Sequence, residues 1–261
     1  MISRSELFAG AATYYARYRH GYEAEIIDYI ADMLDLDDRV RVLDLGCGPG
    51  TLAIPLASRA GEILAVDPSE EMLAEGARRG TPGIRWLRGD SSTLGELPLG
   101  PVDHVVMGRS FHWMERERVL RYFDGLLPAH GAVVIAGPTT DPVEPPWEPV
   151  VQAVRQTFGL EWRANSEEYA QSGRHHQEML RESAFHRLES RCFTRTARQS
   201  ADDIVGLQLS FSYSSPARLG ERLPAFTEAV REALAAANPS GEWQEEVVTE
   251  IVVARRSRHG S

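Results

Sequence analysis

The chain contains no lysine; all 28 basic residues are arginine. That absence excludes a lysine Schiff base, a P-loop lysine and a lysine general base together. Cysteine is nearly as scarce, with Cys47 and Cys192 far apart in sequence. Two such thiols make no disulfide framework and too few ligands for a zinc site. His175 and His176 do not change this, because adjacent side chains point in different directions, and no metal site is expected. No apolar run approaches the roughly 18 residues of a membrane span, and the first 30 residues lack a basic start followed by an apolar stretch. A soluble, cytoplasmic protein without a membrane partner is therefore expected.

Positive charge is in deficit as well. The formal net charge is −10, and Arg255, Arg256 and Arg258 concentrate positive charge in the tail, so the body is more acidic still. Such a surface repels nucleic acid and favours a cationic or neutral small molecule, although acidity that serves only solubility reads the same way. With 261 residues and 43% hydrophobic content the chain can bury one substantial core.

What is present is an alternation. Tyr22, Ile26, Ile27, Ile30, Met33 and Leu34 recur at helical spacing across residues 22 to 36. Strands are expected over 40–46, 62–67, 84–90, 102–108 and 131–137, with helices over 51–60, 69–79 and 114–127 between them. Ser69 is the expected N-cap of the second of these helices. Short connections between alternating elements predict a doubly wound α/β sheet, mostly parallel, whose ligands sit at the carboxyl ends of the strands.

The rhythm breaks after the fifth strand. Residues 138 to 186 hold Pro138, Pro142, Pro145, Pro146 and Pro149, then Trp147, Phe158, Trp162 and Tyr169, and read as a mostly helical insertion over the strand ends. Strand character returns over 187–198, a long helix is expected over 216–237, and a last strand over 246–255. The expected division is 1–138 for the N-terminal helices and cofactor half, 139–186 for a substrate lid, and 187–261 for the rest of the sheet.

The run Asp44-Leu-Gly46-Cys47-Gly48-Pro49-Gly50 ends the first strand and enters a helix. Glycine serves there because the backbone must turn tightly and let a ligand lie against it. The third glycine stands at 50 and Thr51 occupies the next position, so the spacing is Gly-x-Gly-x-Gly and not the dinucleotide fingerprint. Asp67 ends the second strand, 21 residues after Gly46, where a carboxylate can accept from both hydroxyls of a ribose. Asp90, followed by Ser91, ends the third strand, where it can take the exocyclic amine of adenine.

On these residues the sequence resembles the class I S-adenosylmethionine-dependent methyltransferases, especially the subgroup of ubiquinone-biosynthesis and natural-product enzymes, over roughly residues 14 to 138. The resemblance implies a seven-stranded sheet with one antiparallel strand. It implies Gly46, Gly48 and Gly50, with Asp44 and Cys47 in the same loop, against the methionine and ribose, Asp67 on the ribose, and Asp90 and Ser91 at the adenine. Pro68 and Met72 would pack beside the adenosine. Tyr15 to Tyr22 looks like the subgroup's Tyr-Asp-x-Tyr-Arg-Pro-x-Tyr segment, in which Tyr15 and Arg19 would approach the cofactor's carboxylate; Ala16 and His20 depart from that pattern.

After the fourth strand comes Gly108-Arg109-Ser110-Phe111-His112-Trp113. Arg109 is counted with the cofactor site, and His112 is the candidate general base, with Phe111 and Trp113 shaping the pocket. A structural role for the His-Trp pair remains the alternative. The segment 139–186 carries eight acids (Asp141, Glu144, Glu148, Glu161, Glu167, Glu168, Glu178, Glu182) against four arginines, and Trp147 or Trp162 can stack on a sugar face. N-methylation of an aminoglycoside-like amine is expected, with S-adenosylhomocysteine as product. O-methylation of an uncharged hydroxylated compound, aminopropyl transfer and cofactor binding without turnover are the alternatives.

Overall fold

The structure, a computed structural model, describes residues 8–139, 143–160 and 175–257. Its strands are β1 (Arg41–Leu45), β2 (Glu62–Asp67), β3 (Ile84–Arg88), β4 (His104–Gly108), β5 (Ala132–Gly137), β6 (Arg187–Ser200) and β7 (Glu242–Arg255). They form one sheet in the order β3-β2-β1-β4-β5-β7-β6. Neighbours from β3 to β5 pair parallel, and β7 pairs antiparallel with β5, Ala132 facing Arg255 and Gly137 facing Glu250. The doubly wound, seven-stranded sheet with one antiparallel strand is thus the fold of this chain.

The apolar runs explain the pairing. Along β1, β4 and β5 successive residues go to opposite faces: Leu43, Val105 and Val133 join one buried cluster, and Val42, Val106 and Val134 join another. A sheet covered on both faces needs apolar residues at every position, which is why these strands show no alternation in polarity. Helices α1 (Ala12–Tyr18), α2 (Ala24–Met33), α3 (Ala53–Leu56), α4 (Glu70–Ala77) and α5 (Arg116–Leu126) precede β5. Then come α6 (Glu148–Thr157), α7 (His176–Arg181), α8 (Ala201–Leu209), α9 (Pro216–Leu219) and α10 (Leu223–Ala237).

Several boundaries differ from the sequence expectation. The helix expected over 51–60 is only α3, whose start is delayed to Ala53 because Pro55 supplies no amide hydrogen for a bond back to Thr51. The long helix expected over 216–237 breaks at Gly220, whose φ of 54° is left-handed, and restarts with Pro224 in the first turn of α10. Strand β3 stops at Arg88, and β7 begins at Glu242. Helix α8 was not anticipated. It carries a capping box in which Ser200 Oγ accepts from the Asp203 amide at 3.1 Å and Asp203 Oδ2 accepts from the Ser200 amide at 2.9 Å.

The chain divides into two compact units. A sheet unit comprises residues 21–140, 166–193 and 249–261, and a helical unit comprises 1–20, 141–165 and 194–248. The stretch 139–186 is therefore shared between them. The helical unit has its own core, in which Trp147, Val151, Ile204, Phe226, Val230 and Leu234 are buried together. Among the described residues, no helix is long and apolar enough to cross a membrane.

Candidate functional site

The glycine run lies where β1 gives way to α3, in the sheet unit. Gly46 has a φ of 72°, and a Cβ there would lie 2.4 Å from Ser110 Cβ. Gly50 has a φ of 82°, and a Cβ there would lie 2.6 Å from the Trp86 ring. Both positions therefore need glycine for conformation and for space. The turn is anchored to β2, since the amides of Gly46 and Cys47 both donate to the Val66 carbonyl, at 2.8 and 3.0 Å.

Asp67 joins the next strand end to this turn. Its Oδ2 accepts from the Gly48 amide at 2.9 Å, and its Oδ1 accepts from the Ser69 amide at 2.9 Å. Burial raises its pKa, and the Ser69 and Gly48 amides pull the other way. A carboxylate offers about four lone-pair directions, so one bond to each oxygen leaves acceptor capacity for hydroxyl donors.

Asp44 is 1% exposed, and neither of its carboxylate oxygens has a hydrogen-bond partner among the described residues. Burial pushes its pKa up to about 7, partly opposed by the Ala53 amide and reinforced by the charge of Asp67. The neighbouring Cys47 thiol is buried and pushed up by that burial and by both acids. A buried carboxylate without a partner is costly, and a cationic group brought to the glycine turn would relieve it. Those residues fit a ligand that carries an ammonium or sulfonium beside a ribose.

Asp90 forms a tight turn, its Oδ1 accepting from the Ser92 amide at 2.7 Å while its own amide donates to Thr93 Oγ1 at 3.0 Å. Ser91 and Pro68 are half-buried, and Met72 is buried on α4. Ser69 caps that helix, its Oγ accepting from the Met72 amide at 3.3 Å.

Past β4 the backbone is again left-handed at Arg109, with a φ of 54°, and its guanidinium lies over the Tyr22 ring at 5.1 Å. Buried Ser110 donates to the Leu45 carbonyl at 2.6 Å, which ties this turn to the end of β1. Phe111, His112 and Trp113 form one turn of 3-10 helix. The His112 ring stands 5.1 Å from Trp113 and, inclined by 20°, 6.3 Å from His176. Sequence reading gave His176 no role, and neither it nor its partner Arg116 carries a local signal, because tertiary packing alone brings them to His112.

Tyr15 and Arg19 belong to the helical unit. There the Arg19 guanidinium lies 4.9 Å from the Tyr15 ring and 4.1 Å from Phe211, and its Nε donates to Ser210 Oγ at 2.9 Å. His20, which stands where the subgroup pattern has proline, reaches Glu245 Oε1 at 2.7 Å. The same buried carboxylate accepts from Gln199 Nε2 at 2.9 Å and from Trp147 Nε1 at 3.0 Å. Trp147 is thus a core residue and not a stacking platform. Of the acids in 139–186, Glu148 pairs with Arg155, and Glu178 accepts from the His175 amide at 3.1 Å. Asp141, Glu161, Trp162, Glu167, Glu168 and Tyr169 lie outside the described residues. Among the described residues, no three His, Cys, Asp or Glu side chains gather as a metal site would require.

Residues 42–131 match the family described as a methyltransferase domain. An uncharacterized methyltransferase of Mycobacterium tuberculosis (strain ATCC 25618 / H37Rv) is 35% identical over 136 residues, which cover 51% of this chain and 53% of that protein. The chain thus spans about half the length of the first curated relatives it matches. A protein of Anaeromyxobacter dehalogenans assigned as a type II methyltransferase superposes with a TM-score of 0.61 at 20% identity, covering 92% of this chain and 98% of its own. An S-adenosylmethionine-dependent methyltransferase of Thiobacillus denitrificans, solved with S-adenosyl-L-homocysteine, gives a TM-score of 0.50 at 15% identity and covers 94% of this chain and 97% of its own. At those identities the likeness to both solved structures is one of fold.

Proposed function

We propose that this chain is a class I S-adenosylmethionine-dependent methyltransferase that acts on a small molecule. The observation that carries the reading is Asp44: a fully buried, unpartnered carboxylate beside three left-handed glycines, one strand away from Asp67. A dinucleotide offers that carboxylate phosphates, which it would repel, whereas S-adenosylmethionine offers cations. The match of residues 42–131 to a methyltransferase domain supports the same reading.

When bound, the cofactor supplies a methyl group already activated by a sulfonium. Asp44, Gly46, Cys47, Gly48 and Gly50 would hold its methionine end, Asp67 its ribose, and Pro68, Met72, Asp90 and Ser91 its adenine side. Arg109 completes the cofactor set in the sheet unit. Alignment then carries most of the rate, and His112 takes the acceptor's proton so that its nucleophile attacks unprotonated.

For the acceptor, the acid-rich 139–186 segment favours a cationic amine, an aminoglycoside-like natural product methylated on nitrogen. Free Cys47 and Cys192 suit the reducing cytoplasm. The test is a screen of amine and hydroxyl compounds with isotopically labelled cofactor, scored by mass. A gain of one methyl on an amine is expected, while a gain on oxygen only would move the acceptor to the hydroxylated class. Aminopropyl gain, or tight cofactor binding with no product from any acceptor, would overturn the reading. For His112, a His112→Ala enzyme with unchanged turnover would remove the base from the scheme.

A further inference from the structure

We infer that Arg116 and His176 form a positioning pair for His112: Arg116 holds the His176 ring in one tautomer, and that ring sets the plane of the His112 imidazole. The inference rests on the reading of His112 as the group that takes the acceptor's proton.

Three elements of the sheet unit supply the parts. His112 lies in the 3-10 turn after β4, Arg116 opens α5, and His176 opens α7. Arg116 is 5% exposed, and its Nη1 lies 3.3 Å from His176 Nδ1. A guanidinium only donates, so Nδ1 is the acceptor and the imidazole proton sits on Nε2. The ring so fixed lies 20° from the plane of His112 at 6.3 Å and meets Phe111 at 5.2 Å.

Charge is the second reason for the pairing. Burial pushes the His176 pKa down to about 3, and the charges facing it, from His112, Arg116 and His175, push the same way. His176 is therefore a neutral neighbour at working pH. When the acceptor's proton passes to the unprotonated nitrogen of His112, that ring becomes a cation, and a neutral imidazole beside it adds no repulsion. No proton on His176 moves in the step. Proton transfer needs the base within hydrogen-bond reach and correctly aimed, and His112, on a single half-buried turn, takes its aim from what packs against it.

The first test needs no acceptor. In the full chain, the nitrogen shifts of His176 should show a bare Nδ1, a protonated Nε2 and no titration between about pH 5 and 8. A ring that titrates in that window, or that carries its proton on Nδ1, overturns the inference.

The second test uses His176→Phe, which keeps a flat ring but offers Arg116 no acceptor, with the acceptor found in the methylation screen. Turnover should fall about tenfold or more, S-adenosylhomocysteine affinity should stay unchanged, and the limb of the pH–rate profile that His112→Ala abolishes should persist. Unchanged turnover in His176→Phe overturns the pair. Unchanged turnover in His112→Ala removes the base reading instead, so the two failures are distinct. Should His176→Phe not fold, His176→Gln, with an acceptor but no ring, carries the same expectation.

Discussion

The carboxylate of Asp67 accepts from the Gly48 amide at 2.9 Å, so a side chain at the end of β2 holds the glycine turn at the end of β1 in place. Asp67 thereby shapes the turn, besides the acceptor role toward the ribose proposed for it. Replacing it with alanine should weaken S-adenosylhomocysteine binding by roughly 1–3 kcal/mol, the range for lost charge-assisted hydrogen bonds, as read by calorimetry. Faster hydrogen exchange at the Gly48 amide should accompany the loss. Binding as tight as in the parent would show that the ribose sits elsewhere.

Asp44 sets a pH dependence whose sign is fixed by its raised pKa. With a folded value of about 7 against an ordinary 3.8, the folded chain keeps a proton that the unfolded chain releases. Stability from this group is full below about 3.8, declines as pH rises, and is lost above about 7. Asp44→Asn should therefore raise the stability of the ligand-free protein by roughly 1–3 kcal/mol at alkaline pH and change it little in acid. Thermal melts across that span check this. A variant less stable at both ends would mean that Asp44 has a partner.

The same acid should report the cofactor's charge. A cation paired with Asp44 favours its ionised form, so binding of S-adenosylmethionine in slightly acid buffer should release protons, fewer as pH rises past about 7. Calorimetry in two buffers of different ionisation enthalpy measures the release, and no difference between the buffers would argue against an ion pair at Asp44.

Gly46→Ala should abolish cofactor binding while leaving a destabilised but folded sheet. Its left-handed φ of 72° costs an alanine about 1–2 kcal/mol, and its methyl would strike Ser110, which can move only by losing its bond to the Leu45 carbonyl. Unaltered affinity by calorimetry would show that the turn lies clear of the ligand.

In the helical unit, Gly206 stands inside α8 because the Tyr18 ring lies on it; a Cβ there would come within 2.4 Å of that ring. Gly206→Ala should lower stability by roughly 1–3 kcal/mol through overpacking, despite the better helix propensity of alanine. Denaturant titration is the check, and a stabilised variant would contradict the packing.

Much of the sheet unit was legible in sequence because local signals and tertiary demands coincide there. The glycine spacing, Asp67 and the Ser69 cap each announce a backbone requirement within a few residues. Helix α8 was missed because Ile204 to Leu209 are buried on every side, which erases the helical period; only Ser200 and Asp203 marked its start. Trp147 was misread because an aromatic in a proline-rich stretch looks the same whether it faces a ligand or a core. The acceptor of its indole, Glu245, lies 98 residues away. His176 and Arg116 escaped for the same reason of distance.

Glu245 binds partners that enter the world at very different times. Its contacts with Gln199, Trp147 and His20 span 46, 98 and 225 residues. During synthesis, strands β1 to β5 and the residues that link them emerge before position 138, whereas His20 must wait for nearly the whole chain before its carboxylate exists. That tie within the helical unit therefore forms only after the residues of β1 to β5 have left the ribosome. A truncation that spares every residue of the glycine turn but removes Glu245 would still leave His20, Gln199 and Trp147 without their shared acceptor.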